Sequence, residues 1–122
     1  MSLQQRLVQA GLSANQATAI QGTVASGLTA TGSTQATALA LGADLNAFTT
    51  VASGAGCILP AMNPGDEITV YNGGANALLV YPPVGGQIKG LGTNTGYSVA
   101  TTTPLAVIQC ISPTFYVAMQ AA

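Results

Sequence analysis

The sequence predicts a mainly β protein: an antiparallel β-sandwich or barrel-like domain, preceded by a short helical N-terminal segment and an extended arm. Three observations carry this. From residue 56 onward, short apolar runs alternate with polar residues and are separated by Gly, Pro and Asn clusters at the spacing of strands and turns. Those runs are rich in Val, Ile, Thr and Tyr, which suit a pleated, half-buried surface. Charge is almost absent. Arg6, Asp44, Asp66, Glu67 and Lys89 make up 4% of 122 residues, with net charge −1 and no His or Trp, where soluble domains average about 25%. High hydrophobicity at low net charge predicts a chain that folds rather than one that stays disordered. The length suffices for one modest core.

Residues 1–25 read as helical. Ser2 with Gln5 and Ser13 with Gln16 fit capping boxes. Leu3, Leu7 and Ala10 share one helical face, and Gly11 fits the left-handed position that ends a helix. A second short helix carries Ala14, Ala17 and Ile20 up to Gly22. The phrase QAGLSANQA has the look of a helix-turn-helix, but Arg6 is the only nearby cation, so the electrostatics of DNA binding are missing.

Residues 26–44 read as an extended arm or linker. The stretch TVASGLTATGSTQAT, residues 23–37, has no sustained period, and Gly27 and Gly32 break any helix. It cannot bury enough by itself to be ordered, so an ordered arm must lie against another surface. Leu39, Leu41, Leu45, Phe48 and Val51 are expected to line one or two strands around a turn at Gly42-Ala43-Asp44.

Residues 45–122 form the expected β domain. GCILPAM is a short strand ended by Pro60, and NPGDE (63–67) is a turn whose Pro-Gly order fits type II. EITVYN alternates, placing Ile68 and Val70 inward. GGAN then reads as a hairpin loop and ALLVYPP as the returning strand. GGQIKGLGTNTG is a long turn around Ile88 and Leu91, YSVAT a strand, and PLAVIQCIS with TFYVAMQ a final pair joined at Ser112-Pro113. No fixed-period repeat is visible, so no solenoid is expected.

The inventory for catalysis is thin. Without His, the Ser-His-Asp and Cys-His arrangements are absent. Asp66 and Glu67 are adjacent and so point to opposite faces of a strand; Asp66 fits a turn residue and Glu67 a solvated strand start. Three scattered acids make no hard-cation site, and the Gly-rich stretches lack the lysine and following helix of a phosphate loop. Lys89, Glu67 and an Asn such as Asn72 or Asn94 are the residue types of a self-formed amide cross-link, which needs them together in an apolar site. Cys57 and Cys110 have no CxxC spacing and sit in apolar runs; buried free thiols are expected over a disulfide. Tyr71, Tyr81, Tyr97 and Tyr116 read as core or interface residues. Neither a cofactor nor a metal is expected, nor a nucleic-acid or membrane partner, since no apolar run approaches a span of ~18 residues. The surface must then consist of Thr, Ser, Asn, Gln, Gly and Ala. A free protein with so little charge tends to associate, so much of that surface is expected to be covered.

The run GSTQATALALGADLNAFTTVASGAGCILPAMNPGDEITVYNGGANALLVYPPVGGQIKGLGTNTGYSVAT, and above all ILPAMNPGDEITVYNGGANALLVYPPVGGQI, resembles small tailed-bacteriophage virion proteins of the capsid decoration or cement type. The resemblance covers roughly residues 30–101 and contains no catalytic motif. It implies a non-enzymatic β-rich module that forms a homotrimer, made in a host cytoplasm and placed on the capsid exterior against the major capsid protein. Leu3, Leu7, Val8, Leu12, Ile20 and Leu28 are the expected contacts of the helices and arm. The alternative within the resemblance is a trimeric head- or tail-fibre module that binds a host receptor or glycan through an exposed cluster of Tyr71, Tyr81 or Tyr97.

Overall fold

A computed structural model describes residues 5, 6, 9–11, 13 and 22–121. Of the expected helices, Gln5, Arg6 and Gln9 are described as helical, and the Ala10 amide donates to the Arg6 carbonyl (3.0 Å). Leu3, Leu7, Val8, Leu12 and Ile20 lie outside the described residues.

The described chain is mainly β, with ten strands in two mixed sheets. The strands are β1 (Val24–Thr29), β2 (Leu39–Ala40), β3 (Leu45–Thr50), β4 (Gly56–Ile58), β5 (Glu67–Asn72), β6 (Leu78–Tyr81), β7 (Gln87–Ile88), β8 (Tyr97–Val99), β9 (Leu105–Ser112) and β10 (Phe115–Ala121). The six-stranded sheet has the order β1-β3-β5-β9-β10-β7, and the four-stranded sheet the order β2-β4-β6-β8.

The expectation of antiparallel sheets needs correction. The first six strands alternate between the two sheets, and each return lays a parallel strand beside the last: β1, β3 and β5 in the large sheet, β2, β4 and β6 in the small one. Residues 24–81 therefore wind as three successive coils, a solenoid-like path. No sequence period announces it, because the coils differ in length. The step from Val24 to its partner Leu45 is shorter than that from Leu45 to Thr69, and the step from Leu39 to Cys57 is shorter than that from Cys57 to Val80. Antiparallel strands then close the winding: β8 beside β6, and the β9–β10 hairpin beside β5.

The GGAN segment is consequently a corner between sheets rather than a hairpin turn. A Cβ on Gly73 would come within 2.8 Å of the Phe48 carbonyl oxygen, and one on Gly74 within 2.7 Å of Val51. These glycines let this corner stack on the preceding one. The Gly73 amide donates to the Phe48 carbonyl (2.8 Å), and Asn76 Nδ2 donates to the Val51 carbonyl (2.8 Å). Asn72, buried at the corner, uses its whole carboxamide: Nδ2 donates to the Asn76 and Val99 carbonyls and Oδ1 accepts from the Gly74 amide. A buried amide so fully paired fixes the turn without a desolvation penalty.

The segment expected as an arm, 26–44, supplies most of β1 and all of β2 and lies against the chain's own β structure. Leu28 on β1 is half-buried and packs on the core. The surface that orders this segment, required by its composition, is thus intramolecular. One cluster of buried side chains draws on both sheets, with Phe48, Val70, Ile108 and Tyr116 from the large sheet and Cys57, Leu78, Val80 and Val99 from the small one. Gln120 of β10 donates from Nε2 to the Ser98 carbonyl of β8 (2.7 Å), linking the two sheets at one side.

Several local expectations match. In the 63–67 turn the Asp66 amide donates to the Asn63 carbonyl (3.0 Å) and Gly65 has φ 94°, the left-handed geometry a type II turn requires. Ile68 and Val70 are buried while Glu67 and Tyr71 are exposed. β9 and β10 pair antiparallel across Ser112-Pro113.

Candidate functional site

The outer face of the large sheet is built by register. On β3, Asn46 and Phe48 point inward, leaving Leu45 and Ala47 outward. On β5 the outward residues are Glu67, Thr69 and Tyr71; on β9, Leu105, Val107, Gln109 and Ile111; on β10, Phe115, Val117 and Met119. Partner registers join these into rows. Val24, Leu45, Thr69, Val107 and Met119 form one row across five strands. Ala47, Tyr71, Leu105 and Ala121 form the next. Among the described residues, the large apolar side chains left exposed are Val24, Tyr71, Val84, Ile111 and Met119. All but Val84 lie on strands of this sheet, and none lies on the small one. The outward side chains of its strands carry one charge, Glu67, whose Oε1 accepts from Gln109 Nε2 (2.7 Å).

The small sheet treats its outer face differently. Tyr81 of β6 is buried (9% exposed) although Val80, its neighbour, fills the core side. Its ring lies between Gly56 and Gly96: a Cβ at either would sit 3.0–3.1 Å from the ring carbons. The turn at 33–38 covers it, with the Tyr81 hydroxyl directed at the Ser33 carbonyl (3.4 Å). Gln35 holds that turn down through Nε2 to the Pro82 carbonyl (2.8 Å) and Asn94 Oδ1 (3.2 Å). Gly32 allows it, since a Cβ there would collide with the Thr37 carbonyl.

Asn94 also organises the Pro-Pro-Val-Gly-Gly loop. Its Oδ1 accepts from the Gly85 amide (2.6 Å) and its own amide donates to the Gly86 carbonyl (2.8 Å), at the cost of a left-handed φ of 61°. The Gly86 amide donates to the Pro83 carbonyl (2.8 Å), and this tight turn holds Val84 81% exposed at its tip.

The fold brings together residues that sequence reasoning kept apart. Asp44, Asp66 and Glu67 all line one cleft of about 450 Å³ at the starts of β3 and β5. Parallel winding causes this, because it stacks successive strand starts at one end. Each carboxylate is already engaged. Asp44 Oδ2 accepts from the Thr23 amide (2.8 Å) and hydroxyl (3.1 Å), and Asp66 Oδ2 accepts from the Asn63 amide (2.9 Å). Glu67 has Gln109. No lysine, arginine or histidine lines the cleft, and among the described residues no three His, Cys, Asp or Glu side chains form a metal-binding group. These contacts are those of strand-start and turn residues.

The amide cross-link set does not assemble in a buried site: Lys89 and Glu67 are exposed, Asn94 is exposed, and Asn72 is committed to the corner. Cys57 and Cys110 are buried free thiols, one in each sheet. Burial pushes the Cys57 thiol up to about 12. Cys110 is also raised, by burial first and then by the charge of Asp66. Both are therefore inert as nucleophiles near neutrality. The Tyr116 hydroxyl, raised by burial and then by Cys110, donates to the Pro113 carbonyl (2.7 Å) and braces the β9–β10 turn. Of Tyr71, Tyr81 and Tyr97, only Tyr71 is exposed, and it lies on the other sheet from the remaining two. No helix among the described residues is long and apolar enough to cross a membrane. No protein-family model matches the chain, and comparison with curated proteins and with solved structures gives no match.

Proposed function

We propose that this chain is a non-enzymatic virion structural protein, a sandwich-like β module that decorates and cements a bacteriophage capsid as a homotrimer bridging capsid subunits. One observation carries the reading: a five-strand apolar face with a single charge, on a protein with five charges in all. An exposed apolar surface of this kind marks an interaction site. Repetition on a shell supplies that cover and turns modest single contacts into avidity. The resemblance of residues 30–101 to decoration proteins gives the setting. The mechanism is mechanical: shell opening must break the contacts of the cementing protein as well as those of the shell. The receptor- or glycan-binding fibre reading asks for an exposed tyrosine cluster, and Tyr81 is covered by the chain's own 33–38 turn.

The test compares particles that carry this protein with particles that lack it during heating. Decorated particles should release DNA at a higher temperature; equal release temperatures would reject the cement function. Removing residues 1–21 from the full protein, which keeps all of β1 (Val24–Thr29), then separates the anchors. Lost particle binding assigns docking to the N-terminal segment, and retained binding assigns it to the β structure.

A further inference from the structure

We infer that the outer face of the six-stranded sheet is the surface through which copies of this chain pack on one another. The inference deepens the oligomeric part of the proposed function and rests on it only for the biological setting.

The physical case begins with size. Five strands at about 4.8 Å spacing and about 20 Å of strand length give a projected face of roughly 500 Å². Two such faces give about 1,000 Å², the size at which specific interfaces begin. The face is also continuous. Val24, Leu45, Thr69, Val107 and Met119 run across it without a charge, and Ala47, Tyr71, Leu105 and Ala121 run beside them. Its ends are the most exposed parts, Val24 at 65% and Met119 at 56%, so uncovered apolar area reaches both sides of the patch.

Charge then selects the occupant. An interface with a foreign protein commonly uses complementary charge for steering and register. This face offers Glu67 alone, and that carboxylate is already held by Gln109. No cation lies on β1, β3, β5, β9 or β10; Lys89 is exposed just past the edge strand β7, beyond these five strands. Apart from that one carboxylate, nothing on the rows of Val24 and Ala47 discriminates among partners by sign, whereas a second copy presents the same neutral rows. With net charge −1 per chain, two copies bring almost no repulsion to the encounter. The edge strands β1 and β7 limit how far the face extends, and the covered small sheet has no equivalent patch.

Light scattering coupled to size exclusion on the full chain, with the double variant V24D/M119D and the loop variant V84D, tests this. The wild type should run at a multiple of its 12.0 kDa mass. V24D/M119D should run as the single chain, with a dissociation constant raised about 100-fold or more by charges placed in an apolar contact. V84D should associate like the wild type. Both exposed sites tolerate Asp without loss of the fold, which an unchanged far-ultraviolet dichroism spectrum verifies; M119S replaces the double variant if that spectrum changes and should weaken association in the same direction.

A single-chain mass for the wild type at about 100 μM would overturn the inference. So would association untouched by the face variants, or dissociation caused by V84D. Binding of the wild type to neutral phosphatidylcholine vesicles without self-association would overturn it in favour of a lipid surface. Association through this face together with an unchanged DNA-release temperature would sink the capsid reading and leave this inference standing.

Discussion

The two sheets are laid down by the same passes of the chain, yet they end differently on the outside. The four-stranded sheet is finished by the protein itself: Tyr81 lies across Gly56 and Gly96, and the 33–38 turn closes over it, pinned by Gln35 to Pro82 and Asn94. The six-stranded sheet keeps Val24, Tyr71, Ile111 and Met119 at its surface with no segment of the described chain folded over them. The difference lies in where the chain spends its long connection. Residues 30–38 are the longest excursion of the first coil, and they go to the small sheet. Among the described residues, then, one outer face is covered within the fold and the other is bare.

Substitutions at graded depths sharpen this contrast. The largest effect is expected on the inner side of the large sheet. Tyr116→Ala removes a fully buried ring and its bond to Pro113 and should cost about 3–5 kcal/mol in urea unfolding. A cost near zero would mean that the core does not run between the sheets as described. Next comes the covered outer face. Tyr81→Ala should cost about 3 kcal/mol and open residues 31–38 to limited proteolysis; an unchanged cleavage pattern would show that the turn is not held by the ring.

The buried thiol of the small sheet gives a pH signature. The folded Cys57 thiol resists ionisation up to about 12 against an ordinary value of 9.0, so the fold holds this proton more tightly than the unfolded chain does. Stability is therefore full below the ordinary value and falls as pH rises through the interval between the two. At pH 10.5 the loss should be on the order of 2 kcal/mol. Melting curves of the wild type and Cys57→Ala between pH 8 and 10.5 check the sign: the wild type should fall further with pH, and parallel curves would refute it. A smaller step follows for Gln35→Ala, about 1 kcal/mol, read by urea midpoint. The smallest belongs to Met119→Ser, within about 0.5 kcal/mol for the dissociated chain. Large destabilisation there would mean that the outer row supports the fold itself.

What was legible in the sequence was local. The alternation of Ile68 and Val70 with Thr69 and Tyr71, the Pro64-Gly65 turn and the β9–β10 hairpin all follow from neighbours within a few residues, where side-chain period and turn chemistry decide the outcome. The partners of β1, β3 and β5 were not legible. Parallel pairing is set by side chains far apart in the chain, and the unequal coils remove the one periodic signal that would expose it. Gly73-Gly74 illustrates the ambiguity, since a tight hairpin and a corner that must approach Val51 both demand glycine. The cleft holding Asp44, Asp66 and Glu67 was hidden for the same reason, because it exists only once strand starts are stacked. The apolar outer face was half legible: the missing charge predicted a covered surface, and only the register showed where the uncharged apolar rows lie.

Hydroxyl-radical footprinting of the wild type across a dilution series tests that assignment most directly. Met119 and Tyr71 should be protected at high concentration and become reactive on dilution, with Val84 equally reactive throughout as an internal standard. Met119 and Tyr71 reacting at the same rate at every concentration, while the protein remains associated, would contradict it.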